Sequence, residues 1–426
     1  MELINDLPEG WKIVSLGDKQ YFEILSSGIK EFKDKKMYIS TKCINGNKII
    51  DVESEITYSN RPSRANMQPV MNSVWFAKMK NTIKVYAFTE ENEEEIEKYI
   101  LSTGFCGIKC KDKITTKYLE QFFMSSFFNK IKDSLVTGST QQDIKNEAIA
   151  KIPIILPTIK EREKIVDILS TMDSVIQKVD EIIAKTERLK KGLMKELLTG
   201  RIRVEEKDGK IIFRKETEFK EDTEIGKVPK DWEVVKVGDK EIAEIRGNKR
   251  IKSFDKVAFI PMELIPDSTI FATYEIRSLK NVKSYIYCEG GDILLAKITP
   301  SLENGKQGLV PYYIPNGFAL ATTEVFPIKC KGINRLFLFY ILKFSKFRNK
   351  IIASMIGTTG RKRASKKSIE NLKIPFPSPS EQEKIAEILL TIDNKLELER
   401  KRKEKLEKIK KGLMDLLLTG RIRVKT

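Results

Sequence analysis

The fold class predicted is α+β: two similar α/β domains held apart by two long helices in an antiparallel coiled coil, related by an internal pseudo-two-fold repeat. Three observations predict it. The segment Lys191–Val204 recurs as Lys411–Val424, differing only at Lys195/Asp415 and Glu196/Leu416. Apolar residues spaced three and four apart follow each of two helix-start signals. Short alternating segments punctuated by Gly, Pro and Asn fill what is left, as strands and turns do.

Further matches keep nearly the same offset, so the chain reads A-B-A′-B′. Trp11 answers Trp232, and Gly17-Asp18 answers Gly238-Asp239. Ile108-Lys109-Cys110-Lys111 answers the identical Ile328-Lys329-Cys330-Lys331, and Asn129-Lys130-Ile131 answers Asn349-Lys350-Ile351. Within the A units, Asn72–Met79 and Gly291–Ile298 read as one repeated strand, with Ala77-Lys78 matching Ala296-Lys297. A helix around Tyr118–Ser134, rich in Phe122, Phe123, Phe127 and Phe128, matches Leu336–Lys350; its aromatics are expected in the core.

Each B unit opens on an S/T-x-x-E capping box, Thr158 with Glu161 and Ser380 with Glu383, preceded by Pro157 and Pro379. The first helix then places Ile165, Ile168, Met172, Val175, Val179, Ile182, Leu189 and Leu193 on a heptad stripe. Its counterpart carries Ile385, Ile388, Ile392, Leu406, Ile409 and Leu413, interrupted at Lys395, Glu399 and Arg402. Gly200 and Gly420 are natural stops. Helices of about 40 residues measure about 60 Å. Antiparallel pairing is expected, because parallel pairing would stretch the connection after Gly200 to nearly its full reach.

Composition restricts the chemistry. The 426 residues include 78 Lys+Arg and 60 Asp+Glu, a net +18, and no histidine. The charge favours a polyanionic partner. The missing histidine removes Ser-His-Asp and Cys-His triads and His-ligated zinc. Five cysteines, an odd number, do not suggest a disulfide framework, and Cys106 with Cys110 reads as structural rather than metal-binding. The start, Met1 to Asp6, has no apolar run of the signal-peptide kind, and the apolar run Leu336–Leu342 is too short to span a bilayer, so a cytoplasmic location is expected. No G-x-x-x-x-G-K-[ST] loop, G-x-G-x-x-G or Asn-Pro-Pro-aromatic tetrad occurs, and no carboxylate spacing marks a nuclease. The expectation is binding surfaces, with no catalytic residue, metal or cofactor.

Basic side chains cluster. Arg361, Lys362, Arg363, Lys366 and Lys367 follow the turn Gly357-Thr358-Thr359-Gly360, a setting suited to phosphate contact. Arg246, Lys249, Arg250 and Lys252 form a second group. The corresponding loop of unit A is polar, with Ser139, Thr140, Gln141 and Gln142; a glutamine there could pair bidentately with adenine. The acidic run Glu90–Glu97 is expected to face away from a polyanion.

Taken together these motifs resemble the DNA specificity subunit of type I restriction-modification systems over essentially the whole chain. The resemblance is carried by Leu193-Met194 through Leu197-Leu198-Thr199-Gly200-Arg201-Ile202-Arg203 and its copy. It is also carried by Ile152-Pro153 with Pro157, and by Ile374-Pro375 with Pro379, each before a Glu-x-Glu-Lys-Ile helix start. Gly138-Ser139-Thr140-Gln141 fits too, as does Asp292 to Pro300 continuing through Asn304-Gly305-Lys306 to Thr323-Glu324. One departure is Gly360-Arg361-Lys362-Arg363 where unit A has Gly-Ser-Thr-Gln. The resemblance implies a non-catalytic subunit whose two target-recognition domains each read half of a bipartite, asymmetric site on double-stranded DNA, while the helices set the gap. It implies two modification (methyltransferase) subunits and restriction (translocase/endonuclease) subunits as partners, no membrane, and no cofactor of the chain's own. It adds Lys78, Lys297, Asn304 and Lys306 to the DNA-binding candidates. The expected boundaries are 1–157 for the first recognition domain, 158–200 for the first spacer helix, 201–224 for a linker, 225–379 for the second domain and 380–426 for the second helix with its tail. Two other readings stand beside this one: a DNA-binding enzyme with an unrecognised nuclease or methyltransferase site, and a coiled-coil scaffold that does not bind DNA.

Overall fold

A computed structural model describes residues 7–136, 144–221, 223–251, 254–358 and 360–425. The chain divides into two compact units, one of Met1–Asp180 with Arg402–Thr426, the other of Glu181–Lys401. The first unit holds an antiparallel sheet in the order Phe22–Ile24, Phe105–Cys110, Ser73–Ala77, Val85–Phe88. Ser73–Ala77 is buried throughout, as the run Val74-Trp75-Phe76-Ala77 requires. A second sheet runs Ser54–Ile56, Lys36–Ile39, Tyr99–Ser102, Ala65–Met67, with its central pair parallel. The second unit repeats both topologies. Its sheets are Ala243–Ile245, Val325–Cys330, Ile293–Ala296, Gln307–Leu309, and Glu275–Ser278, Lys256–Ile260, Phe318–Ala321, Ile286–Glu289, the latter again with a parallel central pair.

The expected single helix at the end of each A unit is two. Lys113–Met124 and Ser126–Ser134 break at Ser125, whose hydroxyl donates to the Phe122 carbonyl and accepts the Phe128 N–H. Arg335–Lys343 and Ser345–Ala353 break likewise at Phe344. A serine that satisfies backbone groups on both sides ends one helix and caps the next. Phe122, Phe123 and Phe128 are fully buried, so the aromatics are core. The stretch after Gly200 forms a hairpin, Ile202–Lys207 with Lys210–Lys215. Asp208 and Gly209 turn it with both φ values positive, the conformation a two-residue hairpin loop demands.

The long helices are Ile159–Leu197 and Pro379–Leu417. Thr158 caps the first as expected, its hydroxyl accepting the Glu161 N–H. The second start differs from expectation by two residues: Ser378 accepts the Glu381 N–H, and Ser380 and Glu383 lie inside the helix. Pro379 is the first helical residue, where a missing N–H is no loss. The box glutamates do not close back on their own caps as a full capping box would. The Glu161 carboxylate accepts from Trp11 Nε1 at 2.9 Å, Arg423 Nε at 2.9 Å and the Thr158 hydroxyl at 2.7 Å. Burial alone would raise this carboxyl, but the hydrogen bonds from Arg423, Thr158 and Trp11 hold it below the usual range. Glu381 repeats the arrangement with Trp232 Nε1 at 3.0 Å and Arg203 at 2.8 Å. Each Thr-Gly-Arg-Ile-Arg motif therefore docks on the start of the other repeat. The docking explains its glycines: Gly200 and Gly420 have φ of +68° and +76°, and a Cβ on either would fall within 3.0 Å of Pro229 or Pro8.

Within each unit the two helices run antiparallel. In the first, Asp173 meets Lys410 at 2.6 Å and Asp180 meets Lys403 at 2.7 Å, one index rising as the other falls. In the second, Glu187 meets Arg400 at 2.6 Å and Lys190 meets Asp393 at 2.5 Å. The buried stripe departs from the expected heptads. Ile165, Val179 and Ile385 face inward, and so do Leu169, Thr186, Met194, Leu389 and Leu396. Leu189 and Ile409, expected in the seam, are 55% and 53% exposed. A helix of 3.6 residues per turn drifts away from a strict heptad, and here the neighbouring sheet-and-helix domain covers much of the stripe. Two polar nodes share the seam: Asp173 also accepts from Gln121 at 3.0 Å, and Asp393 from the Tyr340 hydroxyl at 2.8 Å. No helix among the described residues is long and apolar enough to cross a membrane.

Candidate nucleic-acid interface

In the second unit the basic run is pinned to the end of the central strand Ile293–Ala296. Residues 356 and 363 exchange backbone hydrogen bonds, closing the loop on itself. Thr299 N–H donates to the Lys362 carbonyl at 3.1 Å, and Ala364 N–H to the Lys297 carbonyl at 2.8 Å. Lys297, Arg361, Lys362 and Arg363 are thus brought together, with exposed Asn304 on the turn that follows the strand. Arg361 and Lys362 are exposed and have no ion-pair partner among the described residues. Arg363 stands 2.8 Å from Glu324, and Lys297 Nζ lies 5.4 Å from the centre of the Phe326 ring. Lys366 and Lys367 begin the short helix Lys366–Glu370, both exposed, the former 3.4 Å from Glu370.

Two candidates are used internally. Lys306 donates to the Met262 and Ile265 carbonyls at 2.8 and 3.1 Å, bracing the turn from behind. Arg246 is held by Asp292 at 2.5 Å and Glu289 at 2.6 Å. Burial raises the Asp292 carboxyl above its usual range, against the lowering effect of this guanidinium. Neither cation is available as an unpaired surface charge. Lys249 lies 5.0 Å from the centre of the Tyr287 ring and Arg250 is exposed; Lys252 lies outside the described residues. Because Arg246 is paired to Asp292 before the central strand and Lys297 follows it, the two basic groups belong to opposite ends of that strand.

The first unit repeats the clasp. Ile144 N–H donates to the Lys78 carbonyl at 3.2 Å, as Ala364 does to Lys297. Ser139, Thr140, Gln141 and Gln142 lie outside the described residues. Of the acidic run, Glu90 and Glu91 pair with Lys113 and Lys117, and Glu95 accepts from the Tyr86 hydroxyl at 2.6 Å. The residues that sequence reasoning missed are the bracing ones: Lys132 and Arg348 beside the strand-exit turns, and the paired Asp173/Asp393 and Lys410/Lys190. The last four stand at the 220-residue offset and could have been found from it. Among the described residues no group of three or more Cys, Asp or Glu could hold a metal ion. Burial pushes the Cys106 and Cys110 thiols up to about 12.

Comparison with known proteins adds to the geometry. The family described as type I restriction modification DNA specificity domain matches twice, over residues 8–188 and 229–408. The type I restriction enzyme MjaVIII specificity subunit of Methanocaldococcus jannaschii is 28% identical, over 98% of this chain and 94% of that one. The putative type I restriction enzyme MjaX specificity subunit of the same organism is 29% identical, over 99% and 96%. Among solved structures, a chain from work on complex assembly and conformational transition of the type I R-M system shares the fold, with TM-score 0.57, 18% identity and coverage of 98% of this chain and 100% of that one.

Proposed function

Because the chain belongs to the type I restriction modification DNA specificity domain family, we propose that it is the DNA-sequence specificity subunit of a type I restriction-modification complex. It performs no catalysis itself. Residues 1–157 and 225–379 are the two target-recognition domains, and each reads one half of a bipartite, asymmetric site. The helices within 158–200 and 380–426, joined through 201–224, set the separation of the half-sites and dock two modification subunits; restriction subunits complete the assembly.

The observation that carries this reading is the repeated backbone clasp, Ala364 on Lys297 and Ile144 on Lys78. In both units the residue after the central strand accepts this bond, and in the second unit the clasped segment carries three consecutive cations, Arg361, Lys362 and Arg363. Cations in such a loop supply phosphate contacts, and base edges beside them supply sequence discrimination. Arg361, Lys362, Lys367 and Lys297 are assigned to the phosphates, together with Lys78 in the first unit. Substituting Arg361 and Lys362 with Ala should weaken duplex binding about equally for all sequences and lower the salt slope by roughly one for each phosphate no longer neutralised. An unchanged affinity and slope would refute the assignment. The spacing role is tested by lengthening both long helices by about two turns, roughly seven residues: the tolerated gap between half-sites should increase, and an unchanged gap would refute it.

A further inference from the structure

In the first unit the chain leaves the central strand Ser73–Ala77 through Lys78 and turns back at residues 79–82 before Val85–Phe88. This turn occupies the topological position that 298–306 fills in the second unit, where Thr299 is bonded to the basic run. A charged side chain is buried to hold it. Lys132, from the helix Ser126–Ser134, is 1% exposed, and its ammonium donates to the Met79 and Thr82 carbonyls at 2.9 and 2.6 Å. Its neighbour Asp133 accepts the Asn81 N–H at 3.2 Å and stands 3.4 Å from the same ammonium. Burying a lysine is costly unless its protons are satisfied, so this clamp holds the turn in one conformation. At its tip Asn81 adopts φ of +55° and is exposed, and its side-chain amide has no hydrogen-bond partner among the described residues. A rigidly presented, unpaired asparagine amide has the donor and acceptor that match adenine N7 and N6 in the major groove.

We infer that Asn81 is a base-reading residue of the first recognition domain, directed at an A·T pair, and that Lys132 with Asp133 are the positioning residues that present it. This rests on the specificity-subunit reading above and deepens it, by naming a reader outside the Gln141–Gln142 segment. The second recognition domain of the same chain provides an internal control, because its half-site should be indifferent to any change at Asn81.

The test is methylation mapping of cells carrying the complete system with wild-type or variant specificity chain. Asn81→Gly suits the purpose, since glycine adopts a positive φ without strain and the site is exposed. It should relax one A·T position in one half-site, lowering discrimination there from roughly 5- to 150-fold to about twofold or less, with the other half-site and the gap unchanged. Lys132→Met should relax the same position and Lys132→Arg, which keeps donors, should relax it less. A wild-type motif in both halves for Asn81→Gly would overturn the inference. Should Lys132→Met abolish methylation altogether, Asn81→Gly decides alone. If the wild-type chain itself yields no bipartite motif, the specificity reading fails instead.

Discussion

Three carboxylates converge on the guanidinium of Arg203: Glu381 at 2.8 Å, Glu216 at 2.7 Å and Asp231 at 2.7 Å, with the Trp232 ring centre 5.5 Å away. Glu381 and Glu216 are buried, so removing the cation leaves two unpaired buried charges. Arg203→Met should destabilise the second unit by about 3–5 kcal/mol, measured by denaturant unfolding. The same cluster sets an acid limit. The Glu218 backbone N–H, then Arg203 and the Thr217 N–H, hold Glu216 down to about 2 against its ordinary 4.5. A depressed carboxyl contributes stability that is complete above pH 4.5 and lost as pH falls through about 2. Thermal melting across that window should show the loss, and Glu216→Gln should flatten it. Lys343 works in the opposite direction. Burial, then repulsion from Lys190 and Arg348, lowers it to about 8. Its charged form is penalised in the fold, so this side chain's own contribution to stability rises between pH 8 and 10.5, and the stability gained by Lys343→Met over the native chain should be full below pH 8 and shrink across that window.

The long helices show that position on an apolar stripe does not guarantee burial. Leu189→Gln or Ile409→Gln, at exposed positions, should cost less than about 0.5 kcal/mol. Leu169→Ala, fully buried in the first unit, should cost about 2–5 kcal/mol. The ordering, read by denaturant unfolding, would be reversed if the heptad stripe deduced from sequence were the true seam. The polar nodes add something the apolar residues lack. Asp173 and Asp393 each tie the opposite helix to a side chain of the neighbouring domain, Gln121 or Tyr340, and so fix how helix and domain meet.

At the scale of the whole molecule, the duplication gives one chain two copies of the specificity domain whose sequences differ at Gly138-Ser139-Thr140-Gln141 and Gly360-Arg361-Lys362-Arg363. The charge of +18 includes cations that are not available at the surface. Arg246 and Arg203 are used internally, whereas Arg361 and Lys362, where the second unit's clasped loop meets the strand end, are exposed with no ion-pair partner among the described residues. If roughly six to ten phosphates are contacted, duplex affinity of the assembled complex should fall by about 10³–10⁵ between 50 and 200 mM salt. A slope near zero would argue for a scaffold that does not bind DNA.

The amino-acid sequence by itself determined the duplication, the two long helices with their glycine stops, the repeated strand and the family, because these are recorded in local period and self-similarity. It also singled out Lys297 and the run Arg361–Arg363 as candidates, which the structure brings together. The tertiary structure alone decided which candidates are available: Lys306 and Arg246 look like their neighbours in sequence, and only the position of carbonyls and carboxylates from distant segments turns them inward. It likewise moved the second helix cap to Ser378, put Thr186 in place of Leu189, and gave Glu161 and Glu381 partners about 150 or more residues away. Such pairings depend on which backbones are brought together by folding, and no local pattern of residue types records that.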